Sequence, residues 1–316
     1  MAYSRLTLIM RDFPSYYIFI GVFAGIHIAL KNLPEPRPAF ALTAVFPLAV
    51  LVIDRIRWYR RRNPDEDYSR YAMRLSAVMI SALAIILFLP RRPLEFDTLR
   101  KIGEISGLAG SALFIFHARL LHGKAGVAKF FGVGLLYGMI IENGGIWMGF
   151  FSEEGYMVYI PFLPAPLCNV LGWSIVYYMF NHFIDDSSIS RKPLAAALVA
   201  SVAMVAVDLQ LDPIATRIGA WVWHDDLPEL FLGVPLINFV AWFSAVFPFA
   251  LFHFSLENKG DLYSSSRNRK LLVRIPVALV AALGIVLGLT IIFEGFASST
   301  MNIFAGNLER LGGFFR

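Results

Sequence analysis

The chain alternates long apolar stretches with short polar or charged segments. Several of these stretches approach the roughly 20 apolar residues that a helix needs to span a bilayer. The pattern predicts an all-α polytopic membrane helix bundle with about eight or nine transmembrane helices. The predicted spans are 15–32, 39–56, 72–90, 104–121, 126–148, 163–184, 193–212, 231–256 and 272–295.

Composition agrees with a membrane protein. The 316 residues are 57% hydrophobic and 16% charged, with a mean hydropathy of +0.62. A soluble domain does not need this much apolar surface. The net charge of +5 comes from residues clustered in loops, so the expected partner is the lipid bilayer and not a nucleic acid. The single cysteine, Cys168, excludes an intramolecular disulfide.

Basic residues concentrate in some of the predicted loops and not in others. The fifth loop has no Lys or Arg, and the seventh has only Arg217. Cytoplasmic loops carry an excess of basic residues, so this bias places the even-numbered loops and the N-terminus in the cytoplasm of a cell-membrane protein. The third loop is also basic and opposes this orientation. The basic residues of the second, sixth and eighth loops are Arg55, Arg57, Arg60, Arg61, Arg62, Arg70, Arg191, Lys192, Lys259, Arg267, Arg269 and Lys270.

One pattern occurs twice. Residues 166–173 read PLCNVLGW and residues 235–242 read PLINFVAW, and a carboxylate precedes the proline by 24 residues in one copy and 23 in the other. The spacing predicts a duplicated two-helix unit whose two acids face one shared site. It divides the chain into N-terminal transmembrane helices (1–125), a duplicated motif-bearing core (126–256), and a basic loop, last helix and interfacial tail (257–316).

Three acids of this core are the candidate catalytic residues. Glu142 and Asp208 lie within apolar helices, and Asp212 is expected to end one. Ionisable groups at membrane depth are costly and are usually functional or paired. Asp208 and Asp212 share one helix face, where neighbouring carboxylates would favour a proton on one of them. The alternative is that Glu142 and Asp212 only cap helices at the water boundary.

Other polar and aromatic residues of the core are candidates for substrate binding. Asn and Trp four residues apart share a helix face in each copy, although both residue types also serve in helix packing and in interfacial belts. The six histidines show no metal-binding spacing, so the sequence predicts no metal and no cofactor. The substrate-binding candidates are Asn169, Trp173, Asn238, Trp242, Tyr156, Tyr159, Trp221 and Trp223.

Residues 208–243 resemble the signature of the integral-membrane carotenoid 1,2-hydratases, the "carotenoid biosynthesis protein" family. The family pattern is Asp-x-x-x-Asp-Pro, then Gly-x-Trp-x-Trp, then Gly-Val-Pro-x-x-Asn-Phe-x-x-Trp. The residues here are Asp208, Asp212, Pro213, Gly219, Trp221, Trp223, Gly233, Val234, Pro235, Asn238, Phe239 and Trp242. The upstream Glu142, Gly145 and Gly149 are similar too, but the linker FFSEEGYMVYIP departs from the family pattern. The resemblance covers about residues 126–256.

The resemblance implies a cofactor-independent lyase, a hydratase that adds water to the terminal double bond of an acyclic carotenoid. In this interpretation Asp208 or Asp212 protonates the alkene and Glu142 activates water. The partners are then a long-chain polyene or isoprenoid lipid, water and the bilayer. Two alternatives remain: a related carotenoid cyclase that excludes water, and a non-enzymatic lipid or carotenoid carrier or proton-coupled transporter.

Overall fold

The structure is a computed structural model that describes residues 13–33, 36–60, 93–184, 188–257 and 264–314. It is an all-α bundle, as predicted. A short π-helical turn, Lys129–Val133, joins α4 to α5. The helices are α1 (Phe13–Lys31), α2 (Arg37–Leu42), α3 (Val45–Arg60), α4 (Phe96–Ala128), α5 (Gly134–Trp147), α6 (Leu167–Ile184), α7 (Pro193–Arg217), α8 (Leu236–Glu257), α9 (Ser265–Glu294) and α10 (Ser299–Phe314).

Six helical segments of the described residues are long and apolar enough to cross a membrane. They are 13–31, 37–54, 96–147, 193–217, 236–256 and 265–294. Together with α6, they cover eight of the nine predicted spans. The remaining predicted span, 72–90, lies outside the described residues. The protein is therefore an integral membrane protein with a helical bundle.

The segment 96–147 contains two spans. Its 52 residues would extend about 78 Å as one helix, far beyond a hydrocarbon core of about 30 Å. Gly123 breaks it with φ of 68°, a left-handed conformation that glycine adopts readily. The break falls between the predicted spans 104–121 and 126–148, which are thus confirmed as separate helices.

Helix α6 lies at the centre of the bundle, and α9 lies at its edge. Tyr177, Tyr178 and Phe180 of α6 are fully buried among side chains of the neighbouring helices. On α9, by contrast, Val273 and Val280 are more than 70% exposed. An apolar face of this kind is suited to contact with lipid. The core of the bundle therefore surrounds α6.

The loops α5–α6 and α7–α8 meet at one end of the bundle. Strand β1 (Phe151–Ser152) of the first loop pairs antiparallel with β2 (Val222–Trp223) of the second, with Ser152 opposite Val222. A short hairpin, β3 (Glu229–Phe231) with β4 (Val234–Pro235), leads into α8. Helices α6 and α8 begin directly after Pro166 and Pro235, where the missing N–H of proline costs no hydrogen bond.

Helices α5 and α7 end in the same way. Gly149 and Gly219 both have positive φ, at 74° and 69°. The Gly149 N–H donates to the Ile146 carbonyl, and the Gly219 N–H donates to the Thr216 carbonyl. Each glycine ends its helix in a left-handed cap. We call α5, α6 and the loop between them the first unit, and α7, α8 and the loop between them the second unit.

The prediction that Asp212 ends a helix is wrong. Helix α7 continues through Pro213 to Arg217. Proline removes one backbone hydrogen bond, but neighbouring helices hold the segment in place. The Gln210 side chain, for example, donates to the Val22 carbonyl of α1 at 3.1 Å. Asp212 is therefore a residue of the helix interior.

Candidate active site

Four carboxyl groups from the two units form one cluster. Glu142 of α5 is in hydrogen-bond contact with Glu153 of the α5–α6 loop. Asp208 and Asp212 of α7 are in the same kind of contact with each other. The two pairs are neighbours, since Asp212 interacts electrostatically with both Glu142 and Glu153. The acids predicted from sequence thus lie together, and a fourth joins them.

Burial excludes the boundary-cap interpretation for Asp212. Asp208 is 0% exposed, Asp212 is 2% exposed and Glu153 is 5% exposed, whereas Glu142 is half-buried. A carboxylate that only caps a helix at the water boundary would be exposed to solvent. The Glu142–Glu153 pair is therefore the more accessible of the two.

Each unit contributes a tryptophan that donates a hydrogen bond to one of the acids. Trp173 Nε1 donates to Glu142 Oε2 at 2.6 Å. Trp242 donates to Asp212. The two indole rings stack with centroids 4.7 Å apart and planes inclined by 30°. The stacked rings thus lie beside the acids of both units.

The two asparagines hold the other acid of each pair. Asn169 Nδ2 donates to Glu153 Oε1 at 2.6 Å and lies 3.4 Å from the Tyr156 hydroxyl. Asn238 Nδ2 donates to Asp208 Oδ2 at 2.9 Å. The expectation that Asn and Trp share a helix face agrees with these contacts, because both side chains of each helix reach the acids.

Each carboxyl pair has the hydrogen-bonding pattern of a shared proton. Within the described part of the chain, Asp208 Oδ1, Asp212 Oδ1 and Glu153 Oε2 are buried and receive no N–H or O–H donor. Buried polar atoms are rarely left unpaired, and a carboxyl proton satisfies two acids in contact. Burial, together with the nearby charge of Glu142, raises the pKa of Glu153 well above its usual range. Glu153 is thus suited to carry a proton.

Comparison with known proteins identifies the family. The model of a family described as "Carotenoid biosynthesis protein" matches residues 105–307. The chain belongs to the carotenoid biosynthesis protein family. The resemblance seen in the sequence is confirmed, and it extends beyond the expected 126–256 to include most of α4, all of α9 and part of α10. No curated protein and no solved structure matches the chain.

Membership in the carotenoid biosynthesis family supports a role in carotenoid biosynthesis and a membrane setting, with an isoprenoid lipid as substrate. The match includes all four acids, both asparagines and both stacked tryptophans. The match begins directly after Glu104, whose carboxylate accepts the Met157 and Val158 N–H groups at 2.7 and 2.8 Å. These bonds hold the loop that carries Glu153 against α4.

Glu153 is the site residue that sequence reasoning missed. It belongs to the SEEGY segment, where the adjacent Glu154 is exposed. Two consecutive acids in a loop give no sign of which one points inward. The departure of this linker from the family pattern was the signal that could have drawn attention to it.

The remaining predicted binding residues lie outside the cluster of acids, at its loop end. The Tyr159 hydroxyl donates to the Glu153 carbonyl at 3.0 Å, so this side chain contacts the loop backbone. Trp221 packs against a separate apolar cluster that includes residues of α1 and α2. Trp223 Nε1 donates to Thr216 Oγ1, and its ring packs edge-on against Phe151. A binding role for these residues stays a prediction.

Three histidines, His117, His122 and His253, pack against Tyr178 and Phe180 of α6. His117, near the end of the predicted span 104–121, is fully buried, with Nδ1 2.7 Å from the Tyr178 hydroxyl. A helix position that looks terminal in sequence is interior here because α4 continues past it. Among the described residues, His, Cys, Asp and Glu form no group of three that could hold a metal ion.

Proposed function

We propose that the protein is a carotenoid hydratase that adds water to the terminal double bond of an acyclic end group. The observation that carries this proposal is the buried cluster of two carboxyl pairs beside two stacked indole rings. Hydration needs an acid to protonate the alkene, a base to take a proton from water, and stabilisation of the cation between these steps. The cluster contains a group suited to each task.

The reaction is balanced by the residues and water alone. A carboxylic acid gives its proton to C2, and the π electrons of the double bond form the new C–H bond. The positive charge develops at C1, which is tertiary. The oxygen of water then bonds to C1, and a carboxylate takes the released proton. A tertiary alcohol results, and a final proton transfer between the pairs restores the enzyme without any cofactor.

Two features support stabilisation of the cation. Aromatic faces attract cations, by about 2 kcal/mol when the contact is desolvated. Trp173 and Trp242 present such faces beside the acids, and each is fixed by its hydrogen bond to a carboxylate. The carboxylates themselves favour positive charge nearby. Glu142, Asp208 and Asp212 thus remain the proposed catalytic residues. Asn238 orients Asp208, and Asn169 orients Glu153 beside Glu142.

The matched geometry of the two units supports an internal duplication. An offset of 70 residues relates Glu142 to Asp212, Gly149 to Gly219 and Ser152 to Val222. The last two residues pair with each other in the β1–β2 ladder, as expected next to a local two-fold axis. We infer that the site lies between two related units, which a polyene would approach laterally from the bilayer.

Expression in a lycopene-accumulating cell tests the function. A hydratase converts lycopene to a product with a tertiary hydroxyl whose oxygen comes from the solvent, which growth in H2(18)O reveals by mass. A cyclase would give a ring-containing isomer of lycopene without added oxygen. Recovery of unchanged lycopene with the purified protein would favour a carrier. Either of these two results would reject the hydratase.

A further inference from the structure

We propose that Glu153, from the loop between α5 and α6, is the acid that protonates the alkene. This inference rests on the proposed hydratase function and changes the role expected for Asp208 or Asp212. It starts from the hydrogen bonds within the cluster. Glu142 accepts the Trp173 N–H at 2.6 Å, and an N–H donor favours the ionised form of a carboxyl group. Glu153 accepts the Asn169 N–H at the same distance, so the deeper burial of Glu153 decides, and the shared proton resides on Glu153.

The surroundings of Glu153 keep it neutral until reaction. It is 5% exposed, and the acids next to it are Glu142 of α5 and Asp212 of α7. Arg100 of α4 is directed at Asp97 and at the Gly219 carbonyl. Loss of a proton from Glu153 is therefore unfavourable in the resting site. It becomes favourable when positive charge develops next to it.

Accessibility distinguishes Glu153 from Asp208. Asp208 is 0% exposed, and its Oδ2 is held by Asn238. Asp208 lies on α7 in the interior of the bundle, one helical turn before Asp212. The Glu142–Glu153 pair includes the half-buried Glu142, so it is the more accessible of the two pairs. Glu153 also extends from a loop, whose backbone is held by Tyr159 and by Glu104.

The proposal assigns a step to each pair. Glu153 transfers its proton to C2 and becomes a carboxylate beside the cation at C1. Water adds to C1 and gives its proton to Asp212, which Trp242 and Asn238 hold in place. The proton returns from the Asp208–Asp212 pair to the Glu142–Glu153 pair, which are neighbours. Every proton and electron pair is accounted for within the site.

The chain provides a matched control for the test. Glu153→Gln keeps the shape and can still bond Asn169 and Glu142, but it removes the transferable proton. Glu154→Gln makes the same change at the adjacent, exposed position. With purified protein in detergent, we expect Glu153→Gln to lower the hydration rate by about 100-fold or more, the scale of general acid catalysis. Glu154→Gln should stay within about twofold of wild type, as expected for a surface substitution.

A shorter acid at the same position gives a second measurement. Glu153→Asp retains the proton but moves it by about 1 Å, so its rate should fall between wild type and Glu153→Gln. Polyene binding, followed by the absorption shift of bound lycopene, should change by less than about threefold in both variants. If Glu153→Gln does not accumulate, Glu153→Asp decides. A wild-type hydration rate in Glu153→Asp overturns the proposal. A hydration rate about tenfold lower, with unchanged polyene binding, supports it.

The outcomes distinguish a wrong role for Glu153 from a wrong hydratase function. No hydrated product from the wild-type protein means that the hydratase function is wrong. Hydrated product from wild type together with a normal rate in Glu153→Gln means that only the role of Glu153 is wrong. Equal losses in Glu153→Gln and Glu154→Gln would overturn it as well, since the loop and not the buried acid would then be responsible.

Discussion

The two units place the same groups around the site, but they obtain their second acid in different ways. At the position where the second unit carries Asp208, the first unit has Gly138, 70 residues earlier. A Cβ atom at Gly138 would overlap the Cβ atom of Trp173. The first unit thus uses this space for close packing of α5 against α6. Its second carboxyl group comes from the loop instead, as Glu153.

Under the proposed function, we expect this difference to correspond to different roles for the two pairs. An acid on a helix, such as Asp208, is fixed by the backbone hydrogen bonds of α7. An acid on a loop depends on contacts outside its own unit, and Glu104 of α4 provides them. A rigid pair suits the positioning of water, and a pair with a loop-borne member suits proton delivery to an incoming substrate. Variants that alter one unit at a time test this interpretation.

The largest effect should follow loss of a carboxylate from either unit. We expect Glu142→Gln, Asp208→Asn and Asp212→Asn each to lower the hydration rate by about 100-fold or more. Residues that act as one catalytic unit are not additive, so Glu142→Gln combined with Asp212→Asn should be little worse than either alone. The measurement is the initial rate of product formation by each purified variant.

Asp226→Asn is the control for these carboxylates, because the Asp226 side chain lies at 74% exposure in the α7–α8 loop. Its rate should equal that of wild type. A normal rate in the α7 variants, alongside a loss in Glu142→Gln, would show that only the first unit is catalytic. The proposed cooperation between the units would then be wrong.

The stacked tryptophans should give the next largest effect. Trp173→Leu and Trp242→Leu remove a π face worth about 2 kcal/mol, so the rate should fall by roughly 30-fold with little change in polyene binding. Trp173→Phe keeps an aromatic face but loses the N–H to Glu142, and it should retain more activity than Trp173→Leu. Turnover and binding are measured separately on each variant.

Trp223→Leu is the matched control, because Trp223 donates to Thr216 and packs against Phe151 away from the acids. It should lower the rate less than Trp173→Leu does. A larger loss in Trp223→Leu would assign the cation-stabilising role to Trp223 instead. Proportional losses of binding and rate in every variant would mean that the rings only pack.

The sequence predicted most of the fold because its signals are local. Apolar runs mark the spans, and Pro166 and Pro235 mark the helix starts. The matched spacing of acid, Asn and Trp also placed these residues on common faces. The structure brings them together, although their catalytic roles remain proposals.

Contacts between distant segments of the chain could not be predicted from the sequence. Glu153 and Glu154 are chemically alike, and only the pairing of β1 with β2 and the bonds to Glu104 decide which one is buried. Likewise, Pro213 reads as a helix end, but packing of α7 against its neighbours lets the helix continue. Trp221 and Trp223 share a motif with the acids, yet the turn after Gly219 directs them to other clusters.

Gly138 and Gly144 test the close packing that sets the first unit apart. Gly138→Ala inserts a methyl group against Trp173, and overpacking of this kind costs about 1–3 kcal/mol. Gly144→Ala, on the same helix, meets nothing within 4 Å, and alanine favours a helix over glycine by up to about 1 kcal/mol. Thermal unfolding in detergent should show a lower Tm only for Gly138→Ala. Equal Tm values would mean that α6 moves away from the added methyl group without loss of stability.

The smallest effect should come from Glu104, which acts on the site only through the loop. Glu104→Gln keeps one acceptor oxygen but loses a charge-assisted bond to Met157 or Val158, worth about 1 kcal/mol, so the rate should fall roughly fivefold. Glu95→Gln, at an exposed site before α4, should have no effect. If Glu104 serves to position Glu153, then Glu104→Gln should change nothing further in a Glu153→Gln background. An undiminished fivefold loss in that background would show that Glu104 supports the fold in general and not the loop-borne acid.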